Sequence, residues 1–194
     1  MIIVEHRKNL SSDLRLVPDE HGVEIDLRLS HGELVLAHDP HAPGQKFDEW
    51  ISEYHHALLI LNVKEEGLES IILEKLQRNK VFNYFFLDQA VPSIIKSIKL
   101  RHSVAARISE YEDFTWATDM APSWIWADSF TGNWNYLDPI LEKITRLKLK
   151  TCFVSPELQG RFESAEMRTL KSILQNHKFT PDAVCTKDPS IWES

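Results

Sequence analysis

The sequence predicts an α/β fold, a compact (β/α)8 TIM barrel. Short apolar, β-branched or aromatic runs recur along the whole chain, and most are followed by a stretch of helical periodicity. Nearly every run also ends in a polar or ionisable residue, as expected of barrel strands that carry chemistry at their C-terminal ends. Eight such runs alternating with helices is the arithmetic of this barrel, and a doubly wound open sheet is the weaker alternative.

The runs are IIVEH (2–6), VEIDLRL (23–29), ALLILNVK (57–64), NYFFLDQ (83–89), SVAARIS (103–109), WIWADSF (124–130), KTCFVSPE (150–157) and DAVCTK (182–187). GELVLAHD (32–39) reads as an extended excursion after the second strand, pairing with it through a turn at SHG. Helices are expected in FDEWISEYH, GLESIILEKLQRN, VPSIIKSIK, LDPILEKITRL and ESAEMRTLKSILQNH; in the second of these Leu68, Ile71, Ile72 and Leu76 share a face. With 194 residues the barrel is short for its class, so helices are expected to be missing or reduced after the first and fifth strands. The whole chain, 1–194, reads as one domain.

Twenty-two Lys and Arg against 29 Asp and Glu give a formal charge of -7, which argues against a general nucleic-acid or anionic-membrane surface. The opening MIIVEHRKN has too short an apolar run for a signal peptide or a spanning helix, and a cytoplasmic location is expected. Cys152 and Cys185 lie in separate apolar runs and read as buried, reduced thiols.

In GVEIDLR the strand period places Glu24, Asp26 and Arg28 on one face and Val23, Ile25, Leu27 and Leu29 on the other. Two carboxylates aimed the same way repel unless a positive group lies between them, so this is a candidate cation site. Glu24 and Asp26, with Asn62 as a neutral carbonyl donor, form a hard-oxygen set suited to Mg²⁺ or Ca²⁺ rather than zinc. Arg7 and Lys64 are placed to neutralise a phosphate, and His6 and His38 to act as general base and general acid. The competing reading of the carboxylates is an ion-pair network with Arg7, Arg28 or Lys64. Asp88, Arg107 and Asp128 read equally as structural ion pairs or substrate contacts. Trp124, Trp126 and Trp134 read as packing, and His21, His31, His41, His55, His56, His102 and His177 as surface or structural.

The ordered set EHR (5–7), GVEIDLR (22–28), LVLAHDP (34–40) and LNVK (61–64) resembles the glycerophosphodiester phosphodiesterases, whose pattern runs His-Arg, Glu-x-Asp, His-Asp, Glu-x-Lys. The resemblance covers about the first third of the chain; the later segments resemble a smaller bacterial branch of phosphodiesterase-like proteins. It implies His6 and His38 as the acid/base pair, Glu24 and Asp26 on a divalent ion, and Arg7 and Lys64 on the phosphate. Two departures stand out. Lys8 replaces the glycine that usually follows His-Arg, and Asn62 replaces the usual metal-binding Glu, which weakens the ion site unless Asp128 or another acid joins it.

The expected function is a metal-dependent phosphodiesterase acting on a small diester, glycerophosphodiester-like or a sugar- or glycerol-phosphate. Competing readings are a barrel that has lost turnover and binds a phosphorylated ligand or a partner, a lyase that stops at a cyclic phosphate, and an unrelated barrel enzyme such as an isomerase.

Overall fold

Each of the eight runs forms a parallel strand in the computed structural model, which describes residues 1–162 and 164–193. The first strand, β1 (Ile2–Glu5), is followed by the single turn α1 (Ser11–Leu14) and then by β2 (Gly22–Ser30), a strand of nine residues. The excursion supplies β3 (Glu33–Leu36) and β4 (Gln45–Lys46), and α2 (Phe47–Ile51) leads to β5 (Leu58–Val63). Then come α3 (Glu69–Arg78), β6 (Tyr84–Leu87), α4 (Val91–Lys99), β7 (Ala105–Ile108), α5 (Phe114–Asp119) and β8 (Trp124–Ala127). The chain ends with α6 (Asp138–Leu147), β9 (Lys150–Val154), α7 (Ser164–Asn176) and β10 (Ala183–Thr186). The helix expected from 163 matches α7, with Glu163 outside the described residues.

Going round the ring, β1, β2, β5 and β6 are joined by parallel ladders, as are β7, β8, β9, β10 and again β1. One parallel bridge, Phe86 to Val104, with Phe86 N–H donating to the Ser103 carbonyl at 3.0 Å, spans the remaining gap between β6 and β7. The two helices expected to be reduced are so: α1 has 4 residues and α5 has 6. Pro122 accounts for the second, because the residue before a proline is driven out of helical geometry.

The nine-residue length of β2 has a specific use. Its first part pairs with β1 and β5, while Leu27 to Ser30 pair antiparallel with β3. The turn at His31 and Gly32, with φ of 49° and 82°, has positive values at both central positions of a two-residue hairpin, where Gly is the natural second residue. The hairpin returns the chain to the barrel mouth, where Ala37 N–H donates to the Asp26 carbonyl at 3.1 Å.

Strand alternation divides the core. Val4, Ile60, Phe85, Trp126, Cys152 and Cys185 fill the barrel interior, whereas Val23, Ile25 and Leu27 pack outward against Leu14, Phe47, Trp50 and Ile72. A second outer cluster, around Ile125, Phe153 and Val184, packs against Leu141 and Leu170. Both cysteines are free and buried, and burial pushes their thiols up, which keeps them unreactive. Trp124 and Trp126 pack on Phe85 inside the barrel, with ring centroids 4.7 and 6.5 Å away.

Candidate active site

Because the odd residues of β2 face the helices, Gly22, Glu24 and Asp26 face the barrel axis. Leu58 and Ile60 point inward on β5, so Asn62, two residues on and in register with Asp26, does the same. His6 follows Val4 on β1 by the same alternation. The ladder thus carries four polar residues from three adjacent strands to the C-terminal end of one side of the ring.

Arg7 adopts φ +54°, a left-handed conformation that costs a non-glycine residue free energy. That turn directs its backbone N–H to Glu24 Oε2 at 2.9 Å. Its side-chain Nε lies 3.6 Å from Asp26 Oδ2, and Lys64 Nζ lies 3.1 Å from Asp26 Oδ1. His6 Nε2 stands 3.6 Å from Glu24 Oε2. The left-handed residue is Arg7 and not Lys8, so the backbone here does not require a glycine at position 8; Lys8 turns away to pair with Glu5 at 2.8 Å.

Asn9 was not visible as a site residue in the sequence. Its Nδ2 donates to Asp26 Oδ2 at 3.0 Å and its Oδ1 accepts from the Asp26 backbone N–H at 3.0 Å, so Asn9 clamps both the carboxylate and the backbone of Asp26. Trp50 secures the same loop by donating Nε1–H to the Lys8 carbonyl at 2.8 Å.

Glu24 and Asp26 are essentially buried, at 1% and 0% exposure. Burial, then the neighbouring Asp26 charge, pushes the Glu24 carboxyl up to about 7, against the pull of the Arg7 N–H and the Asn62 amide. His6 moves the opposite way, down to about 3, through burial first and then the positive charges of Arg7 and Lys187. It is therefore neutral at physiological pH. Among the described residues, Glu24 Oε1, Asp26 Oδ1 and Asn62 Oδ1 are buried without a hydrogen-bond partner, although Asp26 Oδ1 keeps its ion pair with Lys64. Three under-satisfied oxygens on neighbouring strands are the donor set that a hard divalent cation takes.

The other sequence candidates lie further out. His38 is half-exposed at the end of the β3 excursion, with Nδ1 2.7 Å from Asp39 Oδ1 and its carbonyl accepting from Arg28 Nη2 at 2.9 Å. Asp128 is not brought into the Glu24 group. It follows β8, which stands directly across the ring from β2, and its carboxylate accepts from Gln159 Nε2 at 2.9 and 3.1 Å. Nearby, Arg107 pairs with Asp88 and stacks 5.5 Å from the Phe130 ring. Glu157, also polar and buried, is fully engaged by Ser155, Thr186 and the Lys187 N–H.

No family model matches the chain, and no curated protein matches it. Solved structures do. A glycerophosphodiester phosphodiesterase from Agrobacterium tumefaciens superposes with a TM-score of 0.72 at 13% identity, over 99% of this chain and 98% of that one. Enzymes of the same name from Thermotoga maritima (0.66, 15% identity, 96% and 94% coverage) and a glycerophosphoryl diester phosphodiesterase from Parabacteroides distasonis (0.70, 13%, 98% and 84%) also match. A phosphoribosyl anthranilate isomerase from Thermus thermophilus matches less well, at 0.57, as barrels of unrelated chemistry do. The chain has the fold of the glycerophosphodiester phosphodiesterases.

Proposed function

We propose that the protein is a metal-dependent phosphodiesterase for a small phosphodiester. The observation that carries this reading is the placement of Glu24 Oε1, Asp26 Oδ1 and Asn62 Oδ1 on adjacent strands, buried and under-satisfied, with the cations Arg7 and Lys64 paired to Asp26. An ion-pair network alone accounts for Asp26, which has Arg7, Lys64 and Asn9. It leaves Glu24 Oε1 and Asn62 Oδ1 unexplained. Glu24, Asp26 and Asn62 would hold Mg²⁺ or Ca²⁺, which when bound supplies charge stabilisation at the phosphoryl oxygens.

Arg7 and Lys64 orient the phosphate, the first through its planar fork and the second as a point charge. His6, neutral at physiological pH, has a lone pair to take a proton from the attacking hydroxyl, and an anionic phosphate beside it makes it a stronger base. His38, with Nδ1 2.7 Å from Asp39 Oδ1, would protonate the leaving oxygen through its other nitrogen. The departure at Asn62 favours a second reading, a barrel with weakened turnover that binds a phosphorylated ligand.

Calorimetric titration with Mg²⁺, Mn²⁺, Ca²⁺ and inorganic phosphate, followed by hydrolysis of an aryl phosphodiester and a glycerophosphodiester set, tests both. Ion binding that disappears in Glu24→Ala with Asp26→Ala, together with ion-dependent hydrolysis, supports the enzyme. Ion or phosphate binding without hydrolysis of any diester supports the second reading, and no binding of either sinks both.

A further inference from the structure

At the opposite end of the barrel, before β2 and β5, lies a group that the catalytic reading does not use. Asp19, His55 and His56 each place one donor atom within 4.8 Å of the others. In the sequence both histidines read as surface or structural residues, and Asp19 sits 36 positions upstream of His55 with no motif to link them.

The hydrogen bonds determine which ring nitrogens carry lone pairs. A backbone carbonyl only accepts, so His55 Nδ1, 2.8 Å from the Glu53 carbonyl, must carry a proton. His56 Nε2, 3.1 Å from the Val17 carbonyl, must carry one as well. This leaves a lone pair on His56 Nδ1, while His55 Nε2 faces the acceptor Asp19 Oδ1 and donates to it until an ion binding between the two takes the place of that proton. His55 Nε2 already lies 2.9 Å from Asp19 Oδ1. His56 is 7% exposed, and its Nδ1 is buried without a hydrogen-bond partner among the described residues. Metal-binding histidines are held in this way, with the second ring nitrogen donating to a carbonyl that fixes tautomer and orientation.

We infer that Asp19, His55 and His56 form a second metal site, for Zn²⁺ or a similar late first-row ion, separate from the ion site at the mouth. Two imidazoles and a carboxylate are the wrong donors for Mg²⁺ or Ca²⁺ and suitable ones for zinc. Asp19 and His55 are exposed, so water completes the shell. The ion joins the chain before β2 to the chain before β5, where the Ala57 N–H already donates to the His21 carbonyl at 2.8 Å. Its role is that of a staple at the closed end of the barrel. Packing on the His55 and Tyr54 rings, with centroids 4.8 and 5.5 Å away, buries the His56 ring, but neither that packing nor an ion pair between His55 and Asp19 gives its Nδ1 a partner among the described residues.

The test uses the whole protein with Co²⁺ as the spectroscopic probe and excess Mg²⁺ present to occupy the mouth. The expected result is one saturable set of tetrahedral visible bands, displaced by Zn²⁺, together with a rise in melting temperature of several degrees at about 100 times the Zn²⁺ Kd. Asp19→Ala with His55→Ala, both at exposed positions, should remove the bands and the shift. Glu24→Gln with Asp26→Asn should keep both. Absence of tetrahedral bands in the wild type, their survival in the first variant, or their loss in the second overturns the inference.

Discussion

The backbone N–H of Arg7, turned into a left-handed conformation, donates to Glu24 Oε2 at 2.9 Å, so the loop after the first strand is locked to the carboxylate of the second. Glu24 and His6, 3.6 Å apart, are moved in opposite directions by the same burial. Without a divalent ion, this gives two opposed dependences of stability on pH.

For Glu24, raised from 4.5 to about 7, the native state holds a proton that the unfolded chain releases, so stability rises as pH falls through that window. For His6, lowered from 6.5 to about 3, the unfolded chain takes up the proton first, so stability falls as pH drops below 6.5. Each slope reaches up to about 1.4 kcal/mol per pH unit, and they largely cancel between about 4.5 and 6.5. Urea denaturation in EDTA should therefore show Glu24→Gln losing stability on acidification from pH 6.5 and His6→Gln gaining it from pH 7. Identical slopes in the two variants would falsify this account of the pair.

On the proposed reading, charge balance should make ion and phosphate binding cooperative. Arg7 and Lys64 already neutralise much of Asp26 and Glu24, so a divalent cation alone would leave the site strongly positive, and an anion alone would be poorly oriented. Inorganic phosphate should tighten Mg²⁺ binding, and Mg²⁺ should tighten phosphate binding, by the same factor, about tenfold. Calorimetry in both orders of addition checks the equality. Lys64→Gln should weaken phosphate binding and shrink that coupling, and a Lys64→Gln variant that binds phosphate as the wild type does would remove Lys64 from the site.

Asn62 faces the proposed ion site from β5, in register with Asp26, and its Oδ1 has no hydrogen-bond partner among the described residues. Replacing it by Asp keeps the shape and adds a charge. Asn62→Asp should bind Mg²⁺ roughly tenfold more tightly, with more of the gain above pH 7, where Glu24 is ionised. The metal-free protein should become less stable, because a third carboxylate then shares a buried site. If ion affinity is unchanged, position 62 is a strand-end polar residue and not a ligand.

The sequence showed the strands and the mouth more readily than it showed the contacts between elements. Period-two alternation was enough to aim Glu24 and Asp26 together, while the register of β2 with β5, which sets Asn62 alongside Asp26, came only with the folded ladder. Asn9 was missed because its bonds to Asp26 cross 17 residues through a loop with no periodicity. Asp128 was named as a candidate ligand, but in an eight-strand ring a residue after β8 stands diametrically opposite β2, a fact of closure that no local pattern encodes. Asp19 with His55 and His56 was invisible for a related reason, since the group exists only once β2 and β5 are neighbours.

Gly22 tests how tightly the closed end of the ring supports the open one. It points into the barrel at the start of β2, and a Cβ built there would stand 2.7 Å from the Leu58 carbonyl oxygen and 3.0 Å from Leu58 Cβ and Val4 Cγ2. Two of these neighbours are fixed by the ladders that pair Gly22 with Val4 and Leu58, so the clash cannot be relieved by rotating a flexible side chain. Gly22→Ala should therefore cost about 1–3 kcal/mol, the usual penalty of overpacking a close-packed core. The damage should travel along β2, because a shift of that strand displaces Glu24 and Asp26 relative to Asn62. Chemical denaturation gives the first number and Mg²⁺ titration the second; a variant that loses stability but binds Mg²⁺ as tightly as the wild type would show that the mouth tolerates movement at the base of its own strand.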